Sequence, residues 1–221
     1  MKIEIIFENE DLIVCIKPVG VSSQLSDKEN MITLLKSQLD LSDDPFVVHR
    51  LDTAVSGLMV YAKSLQTAKI LSSQIQDHTF KKEYLCVVHS KPDKDSGRFT
   101  DYLFKDSKKN KSFVVNKLRK GVKEAVLDYE VVASKEYNGE TLSLIKVDLL
   151  TGRTHQIRVQ FSSRRMPLYG DGKYGGKDNC NIALYSSKIE FEDKDKNHHV
   201  FSSSPTAFPF DIFKKRTRFI L

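Results

Sequence analysis

At 221 residues, with 40% hydrophobic and 29% charged residues, the chain has the composition of a globular protein long enough to bury a core. No apolar run approaches the ~20 residues of a membrane span, and residues 1–7 alternate like a strand, which excludes a transmembrane helix and a signal peptide. The net charge of +6 is unevenly spread: Lys105, Lys108, Lys109, Lys111, Lys117, Arg119, Lys120 and Lys123 face the single acid Asp106 within residues 105–123, a local net of +7 on a near-neutral remainder.

Along the chain, residues 3–7 and 12–16 read as short strands around the turn Glu8-Asn9-Glu10-Asp11, and Lys17-Pro18-Val19-Gly20 then breaks the pattern. Met31, Leu34, Leu35 and Leu39 fall at helix-like spacing within residues 31–41. Residues 57–63 and 82–89 are strand-like, and Tyr84-Leu85-Cys86-Val87-Val88 is apolar on both faces, as in a sheet interior. Between them, Ser64 is placed to cap a helix whose stripe includes Leu65, Ala68, Leu71 and Ile75.

From residue 99 to 132 several short extended segments are expected, with Gly97 and Gly121 as punctuation. Residues 141–150 set Ile145, Val147 and Leu149 against Lys146 and Asp148, a strand with one wetter face. Thr154 is the expected cap of a helix that buries Ile157 and Phe161. Tyr169-Gly170-Asp171-Gly172 and Gly175-Gly176 make a loop, residues 182–191 a strand, His198-His199 an exposed charged turn, and Lys214-Lys215-Arg216-Thr217-Arg218 a basic tail. Without a repeat, linker or clear boundary, the expectation is a single α+β domain over residues 1–221, with a large mixed or antiparallel sheet and a few helices.

Cys15, Cys86 and Cys180 are odd in number and far apart, and the first two sit inside apolar runs. Buried free thiols in a reducing compartment explain them better than disulfides, so a cytoplasmic location is expected. No His-x₃-His or Cys-x₂-Cys spacing occurs, and no metal is expected. His49 and Ser56 suggest a hydrolase pair, yet Ser56 lacks the Gly-x-Ser-x-Gly elbow.

Two segments about a hundred residues apart carry the chemistry: His49-Arg50-Leu51-Asp52-Thr53-Ala54-Val55-Ser56-Gly57 and Leu150-Thr151-Gly152-Arg153-Thr154-His155-Gln156-Ile157-Arg158. Alone, Asp52 is a turn or cap acid and Tyr84 a core residue. Arg153 beside a helix start meets partial positive charge, and so calls for a carboxylate or phosphate partner. The charge run at 105–123 is either a footprint on nucleic acid or a solvated hairpin.

Together these segments closely resemble the two signature motifs of the RluA-type RNA pseudouridine synthases. Lys82-Glu83-Tyr84 resembles the intervening strand of that family, and Asp11-Leu12-Ile13-Val14 through Lys17-Pro18 its opening strand and turn. The likeness runs in order over nearly the whole chain. It implies a central, largely antiparallel sheet with flanking helices and an RNA-binding cleft, in an isomerase that converts uridine to pseudouridine without cofactor or metal. It further implies that Asp52 is catalytic, that Tyr84 lies beneath the target base, and that Arg153 pairs with the aspartate. By the same resemblance Arg50 helps fill the gap left by a flipped nucleotide, and Lys82 and Arg158 contact RNA.

The partner implied is structured RNA, tRNA or rRNA, bound by a monomer that lacks the S4-like module of many relatives and must grip RNA with its one domain. Val55, Gln160 and Arg165-Met166-Pro167-Leu168 depart from the family pattern, which bears on substrate choice more than on activity. The competing expectation is a non-catalytic RNA-binding protein on the same scaffold.

Overall fold

The computed structural model describes residues 1–214. In chain order the elements are β1 (Glu4–Glu8), β2 (Leu12–Lys17), α1 (Met31–Gln38), β3 (Phe46–Val47), β4 (Ser56–Ala62), α2 (Leu65–Gln76), β5 (Lys81–His89), β6 (Ser96–Asp106), β7 (Lys111–Val115), β8 (Val122–Tyr137), β9 (Glu140–Leu149), α3 (Gln156–Ser162), β10 (Leu184–Glu192) and β11 (His198–Ser202). A 3₁₀ turn follows at Phe210–Phe213. This is the expected α+β class, dominated by strands. From Lys215 onward, the basic tail lies outside the described residues.

The chain gathers into two compact units, one of Met1–Lys82 with Tyr185–Ser203, the other of Glu83–Leu184 with the chain from Ser204. In the first unit the strand order is β1-β2-β4-β10, with β11 on β10 and β3 on β4. The β4–β10 pairing is parallel and its neighbours are antiparallel, so the arrangement is mixed. Leu12 and Val14 of β2, Leu58 and Val60 of β4, Leu71 of α2, Phe80, and Ile189 and Phe191 of β10 form its core. Each such large side chain contributes roughly 1.5–3 kcal/mol by leaving water.

Helix α2 starts where the sequence placed it, with the Ser64 side chain accepting the Thr67 N–H at 3.1 Å. Gly57, second residue of β4, has φ +120°, and a Cβ there would lie 2.4 Å from the Ser186 carbonyl oxygen. Only glycine allows β10 to approach so closely.

In the second unit the order is β5-β9-β8-β6-β7, antiparallel throughout. The strands β6 and β8 are 11 and 16 residues long, where short segments were expected. Gly97 lies inside β6 and does not break it. The Tyr129 ring from β8 packs onto it, with Cε1 3.0 Å from where a Cβ would stand, so this glycine serves packing.

Two further expectations are corrected. Thr154 does not cap α3: the N-cap is His155, in the left-handed conformation at φ 54°, without a side-chain cap bond. His198-His199 is not a turn but the start of β11, and the His199 ring stacks at 5.5 Å on Phe191 and 5.9 Å on Phe201 while Nε2 meets Asp193 at 2.9 Å. An aromatic slot and a carboxylate draw that ring inward.

Candidate active site

In the first unit, Asp52 occupies a turn between β3 and β4. Its carbonyl accepts the Val55 N–H at 2.9 Å, and the flanking Leu51 and Val55 are buried, 7% and 2% exposed. The Ser23 hydroxyl accepts the Leu51 N–H at 3.1 Å and donates to the Leu51 carbonyl at 2.8 Å, and the Gly20 N–H donates to the Thr53 carbonyl at 2.8 Å. A turn pinned on both sides of an acid holds that acid in one place, and Asp52 is left half-buried. Arg50, on the same segment, is exposed and donates to Gln24 Oε1 at 2.9 Å.

His49 is buried. Its Nε2 accepts the Val60 N–H at 3.2 Å, which places the remaining ring proton on Nδ1. Burial first, and the charge of Lys82 second, push its pKa down to about 3, so the ring stays neutral. Nδ1 has no hydrogen-bond partner among the described residues, and a Ser56–His49 dyad is not formed. Lys82 is itself half-buried, and burial lowers its proton affinity.

In the second unit, Tyr84 on β5 stands opposite Val147 on β9 and is buried. Arg153 lies in the loop from β9 to α3, half-buried, with Nε donating to the Glu124 carbonyl at 2.8 Å. Gln156 fixes that loop. Its Oε1 accepts the Arg153 N–H at 3.0 Å and the Thr151 hydroxyl at 2.7 Å, while Nε2 reaches the Val126 carbonyl at 3.1 Å. This strap is not legible in the sequence, because it needs β8 beside the loop.

Arg158 is placed inside the fold. Its Nε donates to Asp171 Oδ2 at 2.7 Å and Nη2 to Oδ1 at 2.8 Å, with both side chains buried and the guanidinium 5.1 Å over the Tyr174 ring. The resemblance implies an RNA contact for Arg158; in the structure its guanidinium is paired with Asp171. Of the basic residues 105–123, on β6, β7, β8 and their connections, only Lys111 is half-buried; its Nζ donates to the Lys173 carbonyl at 2.6 Å and lies 4.9 Å over the Tyr174 ring. The other seven cations are exposed.

One cluster was not visible in the sequence. His89 at the end of β5 meets Glu140 Oε2 through Nδ1 at 2.8 Å and Asp178 Oδ2 through Nε2 at 2.9 Å. Both ring nitrogens are thus committed to carboxylates, which makes a clamp rather than a free ligand set. Burial alone would lower the His89 pKa, but the hydrogen bonds and charges of the two acids outweigh it and raise it.

A family model described as RNA pseudouridylate synthase matches residues 11–163. A protein of Aquifex aeolicus (strain VF5), named as an uncharacterized RNA pseudouridine synthase, is 38% identical over 184 residues, covering 79% of this chain and 57% of that protein. The ribosomal large subunit pseudouridine synthase D of Borreliella burgdorferi is 29% identical over 228 residues, covering 96% of this chain and 67% of that protein. The chain thus spans little more than half the length of the Aquifex relative. The solved structure of human RNA pseudouridylate synthase domain containing 1 has the same fold, with a TM-score of 0.80 at 19% identity over 94% of this chain and 85% of that one.

Proposed function

The chain belongs to the RNA pseudouridylate synthase family, and from that premise we propose that it isomerises uridine to pseudouridine in structured RNA with Asp52 as its catalytic carboxylate. The observation that carries this reading is the pinned turn of residues 51–55, which presents one acid beside the exposed cation Arg50. His49, on the same segment, is neutral and bound to the backbone, which leaves Asp52 as the acid that this segment offers.

A uridine within a stem must leave its stack before its base can be turned, at a cost of a few kcal/mol. Stacking on an aromatic ring returns on the order of 1–3 kcal/mol, the role proposed for Tyr84. Arg153 is the second substrate-positioning residue, because a planar guanidinium fixes the orientation of a carboxylate or phosphate where an ammonium does not. In the reaction the N1–C1′ bond breaks and a C5–C1′ bond forms; the C5 hydrogen departs to solvent and N1 regains a proton, so no oxidant, metal or cofactor is required.

Arg50, Lys82 and the exposed cations of residues 105–123 make the phosphate contacts. Such contacts hold register without reading sequence, whereas RNA specificity comes from loop shape and splayed bases. Transfer or ribosomal RNA supplies the substrate, the latter being the class in the Borreliella relative's name. The protein acts as a monomer in the cytoplasm, where its buried thiols Cys15 and Cys86 stay reduced. Release of tritium from RNA labelled at uracil C5 tests the reading: release is expected, whereas tight RNA binding without release establishes the non-catalytic binder.

A further inference from the structure

Ser112 is the second residue of β7, the strand that returns from the connection of Ser107, Lys108, Lys109 and Asn110, and it is 2% exposed. Burying a hydroxyl is unfavourable unless it is bonded, so an apolar residue would fill this place at lower cost. The Ser112 Oγ donates to the Thr154 carbonyl at 2.6 Å, and the Ser112 N–H donates to the Tyr174 hydroxyl at 2.7 Å. That same hydroxyl lies 2.9 Å from His155 Nδ1. The two residues that follow Arg153 are therefore tied, one directly and one through a ring, to a single position of the β6–β7 hairpin. On the same face of β7, Val114 packs against the cluster of Leu103, Ala125, Val159 and Tyr174.

The other bonds of the Arg153 segment come from elsewhere. Gln156 closes the turn on itself, taking the Arg153 N–H on Oε1 and giving its own N–H to the Arg153 carbonyl, both at 3.0 Å. The Glu124 carbonyl of β8 takes Nε. Only the bond to Thr154 joins the backbone beside Arg153 to the hairpin that carries exposed cations. Lys105 stands opposite Ser112 in the strand register, and Lys108 and Lys109 lie in the connection just before β7.

We propose that Ser112 is a positioning residue for Arg153, fastening the basic hairpin to the segment that carries the guanidinium. A phosphate held by Lys105, Lys108 or Lys109 and a group held by Arg153 then keep a fixed spacing. This rests on the reading of Arg153 as substrate-positioning and of the hairpin cations as phosphate contacts.

Single-turnover tritium release by the full chain tests this, with total RNA labelled at uracil C5 from cells lacking the protein as the probe. Ser112→Ala, checked for folding by circular dichroism, is expected to slow release at saturating RNA by about 10- to 100-fold, the scale of a misplaced reacting group. The RNA concentration for half-saturation stays unchanged. In the Arg153→Lys protein, where a flexible ammonium replaces the planar fork, Ser112→Ala is expected to cost less than about 3-fold, because two residues acting as one unit are not additive. Where Ser112→Ala does not fold, Ser112→Cys, with a weak donor in place of the hydroxyl, takes its part in the same comparison. Release at the wild-type rate by the Ser112 variant overturns the proposal, and so does an equal slowing in both backgrounds. Arg153→Lys alone separates the two levels: a wild-type rate there removes the parent reading of Arg153, whereas a slow Arg153→Lys beside an additive Ser112 effect removes only this inference.

Discussion

Arg158 and Asp171 form a buried fork-to-fork ion pair, with Nε 2.7 Å from Oδ2 and Nη2 2.8 Å from Oδ1. The pair ties α3 to the glycine-containing loop that follows it. Removing one partner leaves an uncompensated charge in the interior, so Arg158→Met is expected to lower stability by roughly 3–5 kcal/mol. Urea unfolding of the variant measures this. A variant of wild-type stability with a shallower salt dependence of RNA binding would show that Arg158 grips phosphate instead.

His89 gives the fold a pH dependence of predictable sign. Its folded pKa is raised above 6.5 by Glu140 and Asp178 despite burial. The stabilisation is therefore fully present below pH 6.5 and is lost as pH rises through the folded value, because the native state holds the proton longer than the unfolded one. His89→Gln is expected to flatten that part of the stability–pH curve. A curve that keeps its slope there assigns it to another group.

The exposed cations of residues 105–123 are expected to account for much of the salt sensitivity of RNA binding. Replacing Lys108 and Lys109 with Gln should reduce the magnitude of the log–log salt slope by about 1.4 to 1.8, the value for two phosphate contacts. Titration at several salt concentrations measures it. An unchanged slope returns the hairpin to the role of a solvated surface.

What the sequence made legible was local or periodic. Ser64 caps α2 because a cap needs only its own next three residues, and the two-sided apolar run of β5 announced a buried strand. What it hid depends on neighbours distant in sequence. Gly97 looked like a breaker until Tyr129 was packed against it, and Thr154 looked like a cap until the Tyr174 hydroxyl took His155 Nδ1 at 2.9 Å and Gln156 took the loop. Of the candidate residues, Asp52 and Arg50 share one turn, while Arg158 is turned inward by an acid 13 positions away.

Whether Asp52 is the catalytic carboxylate is decided by single-turnover tritium release from uracil C5-labelled RNA, compared between wild type and Asp52→Asn at protein concentrations that saturate binding of both. Unchanged RNA affinity is expected, with a rate lower by at least about 10³-fold, within the range that positioned acid–base groups supply. Release by Asp52→Asn at the wild-type rate would contradict it.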